Sequence, residues 1–209
     1  MKIEKQSVSA IWVTPDPEKV IEQAGRTCYK SEDRITDSSA ARFAEQMTTT
    51  GHHAMIEHAS ASLRIVTDRG ISHEIVRHRL ASYAQESTRY CNYTKDKFEN
   101  QITVICPPGM AESSHYEAWF AACELAESAY LNMVSHGVKP EIARSVLPTC
   151  LKTEIVMTAN FREWRHFIQF RGSKAAHPQI RSIARSCLNL LMGYAPNVFG
   201  DLVGLFDWS

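Results

Sequence analysis

A chain of 209 residues is long enough to bury a sizeable core, and we expect one domain spanning residues 1–209. Its composition, 44% hydrophobic and 22% charged, is typical of an ordinary soluble globular protein. Lys plus Arg and Asp plus Glu both number 23, so the chain has no global positive field. That balance argues against nucleic acid as a partner, while a local basic pocket for a small anion remains compatible with it.

The sequence shows no targeting or membrane segment. Its start, MKIEKQSVSAIWV, lacks the apolar centre of a signal peptide, and no apolar run approaches the roughly 18 residues that cross a bilayer. The 6 cysteines are scattered without a CxxC pair, which predicts reduced thiols in a cytoplasmic protein. We therefore expect no membrane partner.

The first quarter of the chain predicts one strand and two helices. Residues 8–13 have the pattern of a strand, and residues 18–27 that of an amphipathic helix. A second helix is predicted over residues 38–50, with Gly51 at its end.

The next stretch, GHHAMIEHAS, is rich in histidine. His52, His53 and His58 could be metal ligands, but the four-residue spacing of a helical HExxH pair is absent and no cysteine lies nearby. We therefore expect no metal and favour a loop that faces a cofactor, because a neutral imidazole can stack on or hydrogen-bond a flat heterocycle.

Residues 77–90, RHRLASYAQESTRY, form the most unusual stretch. They follow a predicted strand over residues 59–67, start at the end of a predicted helix over residues 71–79, and are expected to continue as a loop. Three arginines with several hydroxyls make a good anion receptor, because a guanidinium offers a planar fork of donors that matches phosphate. A solvated basic turn is the simpler alternative, but it would lack the interleaved Leu80 and Tyr83.

The second half of the chain predicts alternating strands and helices. The predicted strands are 102–105 and 149–159, and the predicted helices are 111–136, 141–146, 161–171 and 178–194. The apolar tail, 202–208, is expected to dock on the protein. The sequence contains neither GxGxxG nor a P-loop, so a nucleotide cofactor would not use a Rossmann phosphate loop.

The helix predicted over residues 161–171, FREWRHFIQFR, has two faces. Its apolar stripe is formed by Phe161, Trp164, Phe167 and Ile168. Asn160 is a plausible N-cap. Arg162 and His166 share another face, and the simpler interpretation of these two side chains and Arg165 is a solvated surface.

Four separated segments resemble the flavin-dependent thymidylate synthases, and they occur in that family's order. Arg77-His78-Arg79, Ser87 and Arg89 fall on the family signature, RHR followed by Ser and Arg, which is long and chemically specific. The other segments are GHHAMIEH, ARSVLP and TANFREWRHFIQFR. The resemblance implies an α/β (α+β) fold with an antiparallel sheet flanked by helices, and a homotetramer whose FAD sites are built from several subunits.

The resemblance also implies site residues. Those implied for FAD are Ala54, Glu57, Arg77, His78, Arg79, Gln85, Asn160, Arg162, His166 and His177. Those implied for dUMP are Glu74, Arg77, Gln85, Glu86, Ser87, Thr88, Arg89, Arg144 and Arg171, with Glu74 and Arg144 coming from a partner subunit. Arg171 is the implied catalytic residue, which binds the uracil and helps to ionise its N3, and His52 is implied to lie near the flavin and the folate.

This chain departs from the family pattern at three places. Glu74 stands where Gln is common, and His166 stands where Asn is common. The loop at residues 172–176 is longer than usual, which affects the alignment of His177 with a flavin-contacting histidine.

The implied reaction converts dUMP and 5,10-methylenetetrahydrofolate to dTMP, with hydride from reduced FAD and with NADPH as reductant. Two alternatives from other classes remain open. A metal-dependent nucleotide hydrolase would use the histidines His52, His53, His58, His73 and His78. A non-catalytic RNA-binding module would use residues 77–89, which the neutral net charge disfavours.

Overall fold

The computed structural model describes residues 1–205. Its strands are β1 (Lys2–Glu4), β2 (Ser7–Val13), β3 (Ser60–Asp68), β4 (Ala81–Gln85), β5 (Thr103–Ile105) and β6 (Lys152–Asn160). Its helices are α1 (Pro17–Tyr29), α2 (Ser39–Thr49), α3 (Arg69–Ile75), α4 (Tyr116–Ser135), α5 (Pro140–Ala143), α6 (Phe161–Gly172), α7 (Pro178–Met192) and α8 (Pro196–Phe199). Short 3₁₀ turns include Met55–His58, Arg144–Val146 and Gly200–Leu205.

A four-stranded sheet has the order β2-β3-β6-β4. The backbone N–H of Phe161 donates to Ala59 at one end of the β3–β6 pair, and that of Arg69 donates to Leu151 at the other. Residue numbers therefore rise along β3 as they fall along β6, so these strands are antiparallel. The predicted α/β fold is confirmed, but a second sheet, β1 with β5, is parallel and its strand β1 was not predicted.

The chain divides into two compact units, and the strands β3 and β6 contribute residues to both. The first unit comprises residues 1–7, 66–77 and 84–155. Its core is formed by Tyr93, Ile102, Val104, Cys123, Tyr130, Ala143 and Leu151. The single-domain prediction stays a prediction.

The second unit comprises residues 8–65, 78–83 and 156 onward. Its helix α6 buries the predicted apolar stripe completely, and the indole Nε1 of Trp164 donates to the Ala61 carbonyl over 3.1 Å. Helices α1 and α2 pack closely because residue 25 is glycine, since a Cβ there would lie 2.4 Å from the Phe43 ring.

Two sets of polar contacts, here called clamps, connect residues 197–201 to helices α1 and α6. Glu18 on α1 accepts hydrogen bonds from the backbone N and the side chain of Asn197, over 2.9 and 3.0 Å. Arg165 on α6 is buried, and its guanidinium pairs with both carboxylate oxygens of Asp201 over 2.6 and 2.7 Å and donates to the Val198 carbonyl. The solvated position expected for Arg165 is therefore wrong.

The signature segment differs from its predicted backbone. Helix α3 ends at Ile75 rather than at Arg79, so the arginines follow the helix instead of projecting from it. Residues 81–85, predicted as loop, form β4, in which alternate side chains are half-buried. Small and polar residues in this segment gave no strand signal, although burial alternates along it as in a strand.

The other predicted elements agree with the structure apart from their ends, the largest difference being that α4 begins at Tyr116 instead of residue 111. The short helix α8 was not predicted. Within residues 1–205, no helix is long and apolar enough to cross a membrane. Leu202, in the tail that was predicted to dock, is buried, while residues 206–209 of that tail lie outside the described range.

Candidate active site

Helix α6 positions a buried carboxylate at the centre of the candidate site. Asn160 caps the helix as predicted, because its Oδ1 accepts from the backbone N of Glu163 over 2.9 Å. Glu163 then lies in the first turn with its side chain buried. A buried carboxylate needs donors, and these come from two histidines.

His78 is the more deeply buried of the two. Its Nδ1 lies 3.2 Å from Glu163 Oε1, and its Nε2 lies 3.0 Å from the Nε of Arg171. The Nε of arginine can only donate, so Nε2 is the acceptor and the imidazole is neutral, with its proton on Nδ1. Burial is the main cause that lowers the pKa of His78; Arg171 lowers it further, and Glu163 opposes the shift.

Aromatic rings enclose the His78 imidazole. Phe167 packs edge-on with a centroid distance of 5.0 Å, and Phe170 lies at 6.1 Å. The Arg171 guanidinium stands over the Phe170 ring at 5.0 Å. Tyr83 donates to the His78 carbonyl over 2.6 Å, and burial with the nearby Glu163 raises the pKa of Tyr83 to about 12, so it stays a donor.

The predicted FAD residues around this network are mostly exposed. The His166 side chain is exposed, and its Nδ1 lies 3.4 Å from Glu163 Oε1. Arg162 is exposed and pairs with Glu57 over 2.5 Å. The side chains of Arg77 and Arg79 are also exposed, and within residues 1–205 neither has a hydrogen-bond or ion-pair partner. These guanidiniums are available to an anion.

Ala54 and His177 are exposed at the starts of helices. Ala54 precedes the 3₁₀ turn Met55–His58. The Nδ1 of His177 accepts from the backbone N of Gln179 over 3.2 Å and so caps α7. The structure gives His177 a capping role, and its flavin contact stays a prediction.

Several of the predicted dUMP residues lie together in the first unit. Ser87 Oγ accepts from the backbone N of Arg89 over 3.3 Å, and Arg144 donates to Thr88 Oγ1 over 3.0 Å. Arg89 pairs with Glu141 over 3.2 Å, with 60% of its side chain exposed. Such an exposed ion pair is weak, so Arg89 can exchange it for a phosphate.

Gln85 and Glu86 turn instead into an internal network. The Gln85 amide donates to Ser72 over 2.8 Å and to Thr153 over 3.1 Å. Glu86 accepts from the Tyr93 hydroxyl over 3.4 Å and pairs with Lys152 over 3.5 Å. Their ligand roles stay predictions, as does that of Glu74, which is half-buried on α3.

The rival metal site receives little support from this arrangement. Among the described residues, one group of three potential ligands has its donor atoms within 4.8 Å of one another, namely His78, Glu163 and His166. Only His78 belongs to the five histidines of the hydrolase alternative. The Arg171 cation, 3.0 Å from this imidazole, would repel a divalent ion.

A cavity of about 930 Å³ in the second unit was not predicted. It is lined by Arg26, Tyr29, Ser31, Arg34, Ser38, Ser39, Arg42, Phe43, Gln46, Met47, Thr50 and His52. Of these, His52 had been assigned to the site from sequence. The signal available in the sequence was the three arginines at positions 26, 34 and 42, each eight residues from the next.

Glu163 was also missed. The segment FREWRHF places an acid among three aromatic residues, and an acid in the first turn is usually ascribed to the helix dipole. Its burial depends on contact with His78, which lies 85 residues away in sequence, and periodicity along one helix does not report such a contact.

Comparison with known proteins identifies the family. The sequence model described as "Thymidylate synthase complementing protein" matches residues 10–197. A flavin-dependent thymidylate synthase of Geobacter sulfurreducens is 36% identical over 197 residues, which cover 90% of this chain and 83% of that protein.

Two solved structures show the same fold at low sequence identity. The UMP/dUMP methylase PolB from Streptomyces cacaoi, bound with 5-Br dUMP, is 18% identical, with a TM-score of 0.83 over 100% of this chain and 99% of the other. The flavin-dependent synthase ThyX from Helicobacter pylori, complexed with FAD and dUMP, is 22% identical, with a TM-score of 0.77 over 93% and 98%. The model match over residues 10–197 and the 36% identity to the Geobacter protein establish that the chain belongs to the flavin-dependent thymidylate synthase family.

Proposed function

We propose that this enzyme methylates dUMP reductively to dTMP, with 5,10-methylenetetrahydrofolate as the one-carbon donor, FAD as the flavin and NADPH as the reductant. Family membership supports the reaction. The observation that carries it in this chain is Arg171, a cation held by a buried neutral imidazole at 3.0 Å.

Arg171 supplies what the uracil ring needs. Carbon C5 must become nucleophilic to take a one-carbon unit, and it gains electron density when the N3 proton is withdrawn. A cation already in place where that negative charge develops stabilises the anion without reorganising. Arg171 is therefore proposed to bind the uracil and to favour its N3-deprotonated form.

Five of the six cysteines are poorly suited to act as an alternative nucleophile. Burial raises the pKa of Cys91, Cys106, Cys123 and Cys187, and raises that of Cys150 to about 12. These groups are therefore held as thiols, and the thiolate is the nucleophilic form. A route through an ionised uracil does not require one.

The donor set suits FAD. The exposed guanidiniums of Arg77, Arg79 and Arg162 match a diphosphate, and His166 offers an exposed imidazole for a flat ring. Bound FAD would supply the hydride-transfer chemistry. Ala54, Glu57, His78, Gln85, Asn160 and His177 complete the proposed set.

The dUMP phosphate is proposed to bind at Ser87, Thr88, Arg89 and Arg144, with Glu74, Arg77, Gln85 and Glu86 nearby. A homotetramer with shared sites is proposed as well. Tyr90, next to Arg89, is 75% exposed, and Ile142, close to Arg144, is 61% exposed. These two exposed apolar side chains support the proposal, because such side chains beside a cationic motif suit a surface that another subunit covers.

The arginine-lined cavity is proposed for an anionic co-substrate. Folate and NADPH carry carboxylates and phosphates, which suit Arg26, Arg34 and Arg42, and both carry a flat ring that suits His52. This assignment extends the folate-proximal role predicted for His52.

The first test is the visible absorption spectrum of the purified protein. We expect a flavin spectrum that NADPH bleaches under anaerobic conditions, and bleaches faster when dUMP is present. A colourless protein that takes up no added FAD would contradict the proposal. Full dUMP methylation after exhaustive chelation would exclude the metal-dependent alternative.

Arg171→Ala tests the catalytic assignment. We expect the variant to keep its flavin and to lose dTMP formation by about 100-fold or more, because a preorganised charge that stabilises a developing anion contributes on that order. Turnover is measured by dTMP formation and flavin content by absorbance. Arg185→Ala, an exposed arginine on α7, is the matched control, and full activity of Arg171→Ala would overturn the assignment.

A further inference from the structure

We infer that Glu163 is a positioning residue for Arg171 and that it acts through His78. This inference rests on the proposed function, because it concerns the orientation of the cation that faces the uracil. It adds a residue that the family signature does not contain.

Three groups form one hydrogen-bonded line. Glu163 Oε1 lies 3.2 Å from His78 Nδ1, and His78 Nε2 accepts from Arg171 Nε over 3.0 Å. The side chains of Glu163 and His78 are only 6% and 3% exposed. Water is therefore largely excluded from the link between Glu163 and His78, where a hydrogen bond is stronger than it would be in water.

The hydrogen-bonded groups Glu163, His78 and Arg171 allow only one placement of the protons between them. Arginine Nε only donates, which requires a lone pair on His78 Nε2. The neutral ring then carries its proton on Nδ1, and that proton needs an acceptor. Glu163 is that acceptor, so its carboxylate selects the tautomer that can receive Arg171.

The bond at Nε in turn orients the guanidinium. Because the group is planar, a hydrogen bond at Nε fixes one direction within that plane, and a ring stacked on its face restricts rotation about this direction. The Phe170 ring, 5.0 Å from the guanidinium carbon, covers one face of that plane. Removing the carboxylate takes away the acceptor that selects the tautomer, and with that tautomer the acceptor that His78 offers to Arg171 Nε.

A double-mutant cycle tests this sequence of effects. Glu163→Leu, Glu163→Gln and Arg171→Ala are compared singly and in combination as FAD-loaded protein, by calorimetric Kd for dUMP and by kcat and KM. We expect Glu163→Leu to weaken dUMP binding about 10- to 100-fold, the range for a lost charge-assisted hydrogen bond. Glu163→Gln should lose about threefold to tenfold, because its amide oxygen still accepts from Nδ1–H.

Non-additivity is the decisive result. If Glu163 acts through Arg171, adding either Glu163 change to Arg171→Ala should alter the Kd by less than about twofold. If the losses of dUMP affinity multiply in the double variants instead, Glu163 is a structural residue and the inference is overturned. A wild-type Kd and wild-type turnover in both Glu163 variants would overturn it as well. Glu163→Gln carries the same test if Glu163→Leu fails to fold.

Two further measurements separate the inference from the proposed function. Histidine ¹⁵N resonances should show the Nδ1–H tautomer for His78 in wild type and its loss in Glu163→Leu, whatever the enzyme's substrate. A wild-type protein that shows this tautomer but binds no dUMP would refute the function alone. Stoichiometric Zn²⁺ binding that Glu163→Gln abolishes would overturn the inference in favour of a metal site.

Discussion

The His78 network and the Ser87–Arg89 turn belong to one sequence signature but are built in opposite ways. In the first, a buried imidazole is packed by aromatic rings and has a partner on each ring nitrogen. In the second, the cations are exposed, and Arg89 is balanced only by a carboxylate near water. The ring nitrogens of the first region already have hydrogen-bond partners, while the second region presents exposed cations that a ligand can bind.

The difference follows from what each region is proposed to bind. A phosphate carries its own charge and can replace an exposed ion pair with little desolvation. Polarising a neutral ring instead requires a cation whose direction is set before the substrate arrives. The signature therefore combines a preorganised half with a half that the ligand completes.

Phe167→Ala should break the preorganised half most strongly. Phe167 is fully buried against His78, and deleting such a ring costs about 3–5 kcal/mol in free energy of unfolding. Phe170→Ala is the matched control, since Phe170 also faces His78 but is 58% exposed, and it should cost about 1 kcal/mol or less. Urea unfolding measures both, and equal losses would contradict the contrast between these positions.

The exposed region should respond differently, and Arg89→Ala and Arg144→Ala test this. Each should raise KM for dUMP about 10- to 100-fold, because a charge-assisted bond to phosphate is lost, while the free energy of unfolding changes by about 0.5 kcal/mol or less. Exposed Lys97→Ala serves as the control. A large loss of stability without a change in KM would show that these cations hold the fold instead.

The smallest expected effect is a dependence of stability on pH. The pKa of His78 is lowered in the folded protein from its ordinary 6.5, so below about pH 6.5 the unfolded chain takes up a proton that the folded chain does not. Stability should therefore fall as pH falls through this range. His78→Asn, whose amide can still donate to Glu163, should make the fall of Tm between pH 7.5 and 5.5 shallower, and an unchanged slope would contradict the assignment.

Local patterns predicted most of the regular structure. The prediction of helix 161–171 with an Asn160 cap and a four-residue apolar stripe is confirmed almost to the residue by α6, because cap and stripe are local properties. β4 was missed because its sequence, ASYAQ, lacks the apolar alternation that distinguishes a strand from a loop. The three-residue strand β1 is too short to have a period.

The residues of the candidate site also divide into those that the sequence could predict and those that it could not. The arginines and hydroxyls of residues 77–89 could be named from their resemblance to the family signature, and their contacts with ligands stay predictions. The burial of Glu163 and Arg165 could not be predicted, since α6 places both inward only through partners far away in sequence, His78 and Asp201. The sequence pattern of a helix does not show whether an acid or an arginine within it has such a partner.

The two clamps also make closure of the second unit depend on residues that are distant in sequence. Glu18 and Asn197 are 179 residues apart, and Arg165 and Asp201 are 36 apart. Until Asp201 pairs with it, the Arg165 guanidinium has no carboxylate to neutralise it and favours water over the core. Burial of α6 and docking of residues 197–201 are therefore coupled, and we expect the two to form in one cooperative step.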